Sequence, residues 1–312
     1  QSITAPDRVE DRLEFIVGGN ANIDLSSLSS IGGVGQTWFD VSSSGTQTLP
    51  MLNTVANGIF TVGTGSTLAA TGEPWTYSSA GLPSSYTLFS ATDLNSKLDL
   101  SSLQAIDASY NDGRGDLIRA QRIQATNSAV IDLSGLQSII APARFEDRLD
   151  FIVGVDSTID LSSLSTISGV GQTRFVVSFA STQIFPMLSM VNHGVFEVNN
   201  QSSLTLPALS TVNNGIFSVS DESTLSAKGN SWSYSSAGLP GSFTIFSASD
   251  LNSKLDLSSL QDIDASYNDG RGDLIRAQRI HATNSAMIDL SGLQSITAPD
   301  RVEDRLEFIV GG

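Results

Sequence analysis

The chain has no cysteine and carries few charged residues for its length. Its 312 residues include 16 basic and 32 acidic side chains, which gives a formal net charge of -16. The lack of cysteine excludes disulfide cross-links and leaves the redox compartment open, because secreted bacterial proteins and cytosolic proteins both often lack this residue. The excess of acid argues against nucleic acid or an anionic membrane as a partner, since both require a basic protein face.

Histidine and long apolar runs are also scarce. No run approaches the roughly 18 apolar residues of a membrane span, so we predict no membrane insertion. The two histidines are His193 and His281, and each takes the place of an amide residue in a related repeat. A catalytic base would therefore be present in one copy and missing from its twin. We predict that the protein is not an enzyme and has no catalytic residues and no bound cofactor.

Repetition dominates what the chain does contain. Residues 1–19 return unchanged as residues 294–312, and residues 137–154 are a looser third copy. Because each unit of a repeat protein is stabilised by its neighbours, we predict one continuous domain over residues 1–312. It is divided into a half at 1–136, a half at 137–293 and the start of a further cycle at 294–312. We also expect the chain to belong to a longer tandem array.

A smaller repeat of three short apolar phrases lies within each half. One example is Ile159-Asp-Leu, then Leu164 with Ile167, then Phe175-Val-Val, and the phrase Val-Asn-His-Gly-Val-Phe at Val191 recurs as Val-Asn-Asn-Gly-Ile-Phe at Val212. Alternation of apolar and polar residues over such short stretches is typical of strands with one face inward. Glycines between phrases, such as Gly58, are predicted to turn the corners with positive φ.

This spacing predicts an all-β fold, a right-handed parallel β-solenoid of about 11 coils per cycle, each about 21–33 residues long, without capping domains. A cycle would then rise on the order of 50 Å. The residues predicted to anchor successive coils are Ile23, Leu49, Leu68, Leu98, Ile131, Ile159, Phe185, Leu206, Leu225, Leu255 and Ile288. The rival is a leucine-rich repeat, which the sequence disfavours because it lacks the inner Asn or Cys and any helical spacing.

The repeated xIDLSSLxxI and NGIFxV phrases resemble the parallel β-helix repeats of large secreted bacterial adhesin-like and surface-filament proteins. The resemblance is one of pattern and covers the whole chain. It implies a right-handed β-helix that is extracellular or on the cell surface, with an elongated structural or adhesive role.

Charged and aromatic residues cluster in the longer coils. Arg119-Ala-Gln-Arg-Ile is predicted to lie beside Arg144-Phe-Glu-Asp-Arg, because Arg122 and Arg144 are one coil length apart. The interleaved acids would form ion pairs along one face and fix the register; a glycan-binding or catalytic cleft is the alternative. Trp75 and Trp232 are predicted either to anchor loops over the side of the coil or to stack on carbohydrate.

Two copies of the sequence Asp-Gly-Arg-Gly-Asp begin at residues 112 and 269. Each contains the Arg-Gly-Asp tripeptide and comes close to the glycine- and aspartate-rich calcium coil of repeats-in-toxin proteins. An ordinary turn is the simplest interpretation. The candidate calcium ligands are Asp112, Asp116, Asp269 and Asp273.

These features favour a structural segment of a long repetitive extracellular fibre or cell-surface stalk. Its predicted partner is itself, end to end, or the continuation of the same giant chain. The alternative is a glycan-binding or cell-binding adhesin module whose partners are cell-surface glycans, and a third possibility is a polysaccharide-active β-helix enzyme. Near-identity of the two halves favours the first, because a fibre needs the same register throughout.

Overall fold

A computed structural model describes residues 1–82, 84–111, 118–266 and 275–311. These residues contain no helix, and 48% of the chain is strand. Contacts group the chain into two compact units, the first formed by Gln1–Leu164 with Ser168–Thr173 and the second by Ser165–Ile167 with Arg174–Gly312. The single continuous domain that the repeats predict stays a prediction.

The strands are short because each apolar phrase covers only a few residues. The first seventeen are β1 (Ser2–Thr4), β2 (Arg12–Gly18), β3 (Ser30–Gly32), β4 (Gln36–Ser42), β5 (Thr46–Thr48), β6 (Thr54–Ala56), β7 (Gly58–Val62), β8 (Thr67–Ala69), β9 (Trp75–Ser78), β10 (Thr87–Thr92), β11 (Lys97–Asp99), β12 (Leu103–Asp107), β13 (Ala120–Thr126), β14 (Val130–Asp132), β15 (Ser138–Ile140), β16 (Arg148–Val153) and β17 (Thr158–Asp160). The remainder are β18 (Thr166–Ser168), β19 (Gln172–Val177), β20 (Thr182–Ile184), β21 (Met190–Asn192), β22 (Gly194–Val198), β23 (Ser203–Thr205), β24 (Thr211–Asn213), β25 (Ile216–Val219), β26 (Thr224–Ser226), β27 (Trp232–Ser235), β28 (Phe243–Ala248), β29 (Lys254–Asp256), β30 (Leu260–Asp264), β31 (Ala277–Ala282), β32 (Met287–Asp289), β33 (Ser295–Thr297) and β34 (Arg305–Val310).

The strands form two sheets of twelve and two of five. Sheet A runs β1-β3-β6-β9-β12-β15-β18-β21-β24-β27-β30-β33, and sheet B runs β2-β4-β7-β10-β13-β16-β19-β22-β25-β28-β31-β34. Sheet C is β17-β14-β11-β8-β5 in the first unit, and sheet D is β20-β23-β26-β29-β32 in the second. The chain visits sheet A, then B, then C or D, and returns one coil further on. The predicted parallel β-solenoid is confirmed.

Register fixes the length of each coil. On sheet A, Val191 pairs with Val212 across a short coil, and Ile106 pairs with Ile139 across a long one. Sheet A has twelve strands, so eleven steps separate its first and last strand, which Ile3 and Ile296 occupy. The predicted range of coil lengths and the count of about 11 coils per cycle agree with this register.

Phenylalanines form the centre of the core in both units. In the second unit Phe196 lies between Phe175, whose ring centroid is 5.3 Å away, and Phe217, at 5.1 Å. In the first unit Phe39 stacks on Phe60 at 5.3 Å. Because parallel strands in register place equivalent side chains one above another, a Phe in successive coils produces an aromatic row, which Ile123 interrupts in the first unit and Ile280 in the second.

The predicted anchors are mostly buried, but three of them, Leu49, Phe185 and Leu206, belong to a different inward row. Leu68 lies beside Gln47 rather than Leu49, and Leu225 lies beside Leu204 rather than Leu206. Phe185 is displaced in the same way, by two positions. The period of two in a strand explains the error, because both positions point inward and the buried Gln47 carries no apolar signal. Ile23 is only half-buried and lies outside any strand.

The predicted positive φ is found at the corner glycine Gly33, where φ is 116°, but it is corrected at three other glycines. At Gly58, Gly194 and Gly215 the left-handed residue is the one before the glycine, as in Asn57 with a φ of 56° and His193 with a φ of 53°. The glycine itself is required by space. A Cβ on Gly58 would come within 2.5 Å of a valine Cγ1 on the preceding strand, so these corners need a tolerant polar residue followed by a residue without a side chain.

Buried serines reinforce the corner between sheet B and sheets C and D. The backbone N–H of Ser202 donates to Ser223 Oγ at 3.1 Å, and that of Ser181 donates to Ser202 Oγ at 3.2 Å. The N–H of Gly45 donates to Ser66 Oγ in the same way. Each hydroxyl therefore satisfies a backbone donor of the preceding coil, which links one coil to the next away from the strand ladders.

Candidate functional site

Four of the buried charged side chains in the described residues lie where the third apolar phrase begins. Asp147 and Asp150 are each 2% exposed in the first unit; in the second unit the buried pair is Asp304, the counterpart of Asp147, and Arg276, the counterpart of Arg119. Burying a charge is costly unless it is paired, so these side chains require charged or hydrogen-bonding partners. The charged cluster of the first unit consists of Arg119, Arg122, Arg144, Asp147, Arg148 and Asp150.

The register of this cluster differs from the prediction. Arg122 on β13 lies opposite Asp150 on β16, and Ala120 lies opposite Arg148. The coil that starts at Arg122 therefore closes at Asp150 and not at Arg144. The segment 144–147 is a turn that precedes β16. Arginines consequently face carboxylates, which removes the repulsion that stacked guanidinium groups would cause.

Asp150 lies between two arginines, and Asp147 contacts one arginine and one backbone donor. Asp150 lies between Arg122, whose Nε is 3.9 Å from Oδ2, and Arg148, whose Nε is 4.0 Å from Oδ1. Asp147 lies 3.9 Å from Nη1 of Arg144 and accepts a hydrogen bond of 3.0 Å from the backbone N–H of Arg119. These contacts join three segments of two neighbouring coils. They fix the register and the entry of β13 and β16.

The Arg119 side chain extends this cluster towards an aromatic ring. Its guanidinium carbon is 5.7 Å from the centre of the Tyr110 ring, within the range of a cation–π contact. Tyr110, Arg119, Gln121 and Asp147 enclose a small space together with Pro142. This space is far too small for a sugar ring, which favours a structural role over a cleft for glycan.

The second unit repeats the arrangement with one substitution. The backbone N–H of Arg276 donates to Asp304 at 3.0 Å, as Arg119 does to Asp147. Glu307 replaces Asp150 and receives a bond of 3.0 Å from Nε of Arg279. Residues 1–19 supply a third version, in which Arg12 pairs with Glu14 at 3.0 Å and lies over the Trp38 ring. The ion pairs thus recur with the repeat.

A second ladder of charge lies at the end of sheet C. Asp99, Asp132 and Asp160 are in register, and Lys97 Nζ lies 2.6 Å from Asp99 and 3.5 Å from Asp132. Each aspartate accepts a backbone bond from the residue two places on, such as Ser101. Although burial raises the pKa of Asp99, the bonds from Lys97 and Ser101 outweigh it and lower the pKa. The aspartate of the IDLSS phrase therefore ends the strand, and its side chain caps the turn that follows.

The two histidines occupy structural positions. His193 lies at the same left-handed corner as Asn57 and Asn214, and all three are at most 8% exposed. His281 lies on β31 opposite Ser247, just as Gln124 lies opposite Ser90. Asparagine or glutamine takes the position of each histidine in a related coil. This agrees with a structural role for both histidines.

The candidate calcium ligands Asp112, Asp116, Asp269 and Asp273 all lie outside the described residues, as do both Arg-Gly-Asp tripeptides. Within the described ranges no three His, Asp or Glu side chains are grouped so as to hold a metal ion. The calcium hypothesis stays a prediction.

Both interpretations of Trp75 and Trp232 are wrong. Trp75 is 1% exposed and Trp232 is 2% exposed, and each lies on a strand of sheet A with its ring inside the solenoid. Their Nε1 atoms donate to the carbonyl oxygens of Ala70 and Ala227. The alternation Trp-Thr-Tyr-Ser therefore marks a strand, and neither ring can stack on a carbohydrate.

Tyr77 and Tyr234, two residues further on, are fully buried. Each hydroxyl donates a hydrogen bond of 2.8 Å, from Tyr77 to the carbonyl of Gly58 and from Tyr234 to that of Gly215. Burial raises the pKa of both hydroxyls well above the ordinary value. Both tyrosines therefore stay protonated in the folded state at a pH where they ionise in the unfolded chain.

We expect the free energy of unfolding to fall steeply above about pH 10. The raised pKa contributes stability that is complete below the unfolded pKa of about 10 and is lost as the pH rises, by up to about 1.4 kcal/mol per pH unit for each tyrosine. Urea unfolding followed by circular dichroism between pH 7 and pH 11 measures this.

The double variant Tyr77→Phe, Tyr234→Phe is the control. It should lose about 1–3 kcal/mol at each site at pH 7, because a buried carbonyl loses its donor, but its stability should fall less with pH. Lys97 and Lys254, whose pKa values are raised by hydrogen bonds to Asp99 and Asp256, would supply the slope that remains. Parallel pH profiles of variant and parent would contradict the assignment.

The topology of the parallel sheets defines the class of the chain as a parallel β-solenoid. Comparison with known proteins identifies no relative, because no family model, curated protein or solved structure matches the chain. A search of the described residues for a helix long and apolar enough to cross a membrane finds none.

Proposed function

We propose that the chain is a non-catalytic structural segment of a long repetitive fibre or stalk, outside the cell or on its surface. The observation that carries the proposal is that identical residues recur at identical positions of the same sheets. Ile3 and Ile296 both lie in the inward row of sheet A, and Phe15 and Phe308 both lie in the phenylalanine position of sheet B.

A fibre or stalk must gain length without changing its internal contacts, and the register of the coils supports this role. Eleven steps of sheet A separate β1 from β33, and the two strands have the same sequence, which would let a second cycle follow the first with the same contacts. A catalytic site gains nothing from such duplication. The buried ion pairs support the same role, because they lock register at one place in each repeat. The partner is then the continuation of the same chain or another copy, end to end.

Electron microscopy of chains that contain one, two and three copies of the 293-residue cycle tests this proposal. We expect rods whose length increases by about 50 Å for each added cycle, since eleven coils rise about 4.8 Å each. Rods of constant width would accompany the increase. Separate compact particles, one for each cycle and joined at variable distances, would refute the fibre role.

A glycan-binding adhesin module is the second candidate, favoured by the outer face of sheet A in the first unit. An open groove of about 650 Å³ runs along this face. The hydroxyls of Ser30, Thr54 and Thr76 follow one another along it in register. Binding to immobilised neutral oligosaccharides that is lost in Thr54→Val, Thr76→Val but kept in Thr182→Val, on sheet D, would place this function first. Equal binding by both variants would exclude the groove.

A further inference from the structure

An open groove of about 540 Å³ lies in the second unit, at the corner where the chain passes from sheet B to sheet D. We call it the corner groove. Four successive coils form it, and its lining includes Phe179, Asn200, Asp221, Glu222, Asp250 and Leu251. The backbones of neighbouring coils are linked here, because Ala180 N donates to Asn200 O and Gln201 N donates to Asp221 O, both at 2.8 Å. The floor of the groove is therefore a fixed part of the solenoid.

Phe179 is the residue of the corner groove that the fold explains least. It is 54% exposed, and its backbone is left-handed with a φ of 60°. The same corner position holds Asn200 and Asp221 in the next two coils, and these residue types tolerate that conformation, whereas a bulky side chain is rare in it. Residues held in such conformations are concentrated at functional sites and ligand clamps. Phe179 thus suits a role in binding better than a role in the fold.

Three carboxylates give the corner groove a negative charge. Asp221 and Glu222 lie in one coil, and Asp250 lies in the next. In the part of the chain that the structure describes, no lysine or arginine lies within ion-pair distance of these three side chains. Lys254, on the strand that follows Asp250, pairs with Asp256 at 2.9 Å instead. The groove therefore offers carboxylates to a cationic ligand without first having to break an ion pair.

The equivalent corner of the first unit lacks these features. Ser43 stands there in the place of Phe179. The coil of β25 has no counterpart in the first unit, because β7 pairs directly with β10, whereas β25 separates β22 from β28. Asp221 and Glu222 follow β25 and belong to this additional coil. Stacking of the coils therefore requires neither the aromatic ring nor these two carboxylates, which favours a role for them outside the fold.

We propose that the corner groove binds an extended peptide segment that carries two or more arginine side chains. A guanidinium group can stack on the exposed ring of Phe179 and can form paired hydrogen bonds with a carboxylate, which suits arginine better than lysine. Three steps of about 4.8 Å separate the coil of Phe179 from that of Asp250, so the groove is about 14 Å long. This length fits four or five residues of an extended chain.

The order of the lining residues places the parts of such a peptide. Alternate side chains of an extended chain point the same way, so arginines at every second position all face the groove. The first arginine lies over Phe179, and the next pairs with Asp221 or Glu222. The third pairs with Asp250 while its methylene groups cover the exposed side chain of Leu251. This inference is independent of the fibre role, because the groove is complete within one unit.

Fluorescence anisotropy of the labelled peptide Arg-Ala-Arg-Ala-Arg, titrated with the full chain, tests the proposal. We expect saturable binding at one site that weakens as the salt concentration rises. Phe179→Ser, which copies the first unit, should weaken binding about fivefold, and the double variant Asp221→Asn, Glu222→Gln should weaken it about tenfold. The peptide Lys-Ala-Lys-Ala-Lys should bind severalfold more weakly than the arginine peptide.

The double variant Asp40→Asn, Asp93→Asn is the matched control for charge. It also removes two exposed carboxylates, and Asp93 lies at the corner position of the first unit that corresponds to Asp250. Its affinity for the peptide should change less than about twofold, since neither residue lines the groove. All three variants should keep the circular dichroism of the parent, because the substituted side chains are exposed.

Four results would overturn the proposal. Equal weakening by the two double variants would mean general attraction to an acidic protein, and unchanged binding in Phe179→Ser would mean that the peptide lies elsewhere. Binding that does not weaken with salt would show that charge pairing does not hold the peptide. Equal affinity for the lysine and arginine peptides would remove the basis for choosing arginine. Rod length in tandem chains decides the fibre role separately in each case.

Discussion

Substitution of Leu209 by aspartate is expected to lower the free energy of unfolding by more than about 4 kcal/mol. Leu209 is 1% exposed in the turn between β23 and β24. Its burial is worth about 1.5–3 kcal/mol, and a carboxylate in the same place adds the cost of an unpaired buried charge. Urea denaturation followed by circular dichroism measures the loss.

The neighbouring substitution Ser210→Asp is the matched control. Ser210 is exposed, so the same carboxylate at the next position should change stability by less than about 0.5 kcal/mol. Because each coil depends on the next, hydrogen exchange in Leu209→Asp should also accelerate in the adjoining strands β21 and β27. Equal stability of the two aspartate variants would contradict the placement of Leu209 in the core.

Truncation of Phe196 to alanine should be the second most damaging change, with a loss of about 3–5 kcal/mol. The side chain is fully buried and stacks between Phe175 and Phe217, so no neighbour can fill the cavity without breaking the aromatic row. Thermal and urea unfolding both measure this loss of stability. The larger effect should appear in the unfolding of the second unit, which contains all three rings.

Phe179→Ala removes the same atoms from an exposed position. Phe179 is 54% exposed at the corner after β19 and should lose less than about 1 kcal/mol. If Phe196→Ala were no more harmful than Phe179→Ala, the aromatic row would not be the centre of the core.

The features predicted correctly from sequence are those that one coil repeats in the next. The spacing between Val191 and Val212 is the register of sheet A, and Phe196 and Phe217 stack as their alignment predicts. Local repetition suffices here because parallel pairing in register places equal residues together. The same reasoning predicted the number of coils.

Prediction failed where a coil carries an insertion. Counting one short coil onward from Arg122 reaches Arg144, but the turn before β16 lengthens this coil and brings Asp150 opposite Arg122. Trp75 was misassigned for a related reason, since it follows Pro74 and replaces the usual leucine phrase. In both places the strand is recognisable only by its alternation, which is brief in β9.

The sequence analysis predicted which residue types form the candidate site, but it did not predict how they are arranged. Arginines and acids were expected to interleave, and they do, but the burial of Asp147 depends on how the turn at residues 144–147 folds against Arg119. That contact joins segments from two different coils, and no local pattern indicates it. The positive φ of Asn57 and His193 was likewise hidden, because the adjacent glycine carried the expected signal.

We propose that the coils stack in register along one axis and that successive cycles continue without a break. X-ray diffraction from oriented gels of the tandem chain tests it most directly. We predict a strong reflection at about 4.8 Å along the direction of alignment, together with a long repeat on the order of 50 Å along the same direction. A reflection at about 4.8 Å perpendicular to that direction, or no order along it at all, would contradict the account.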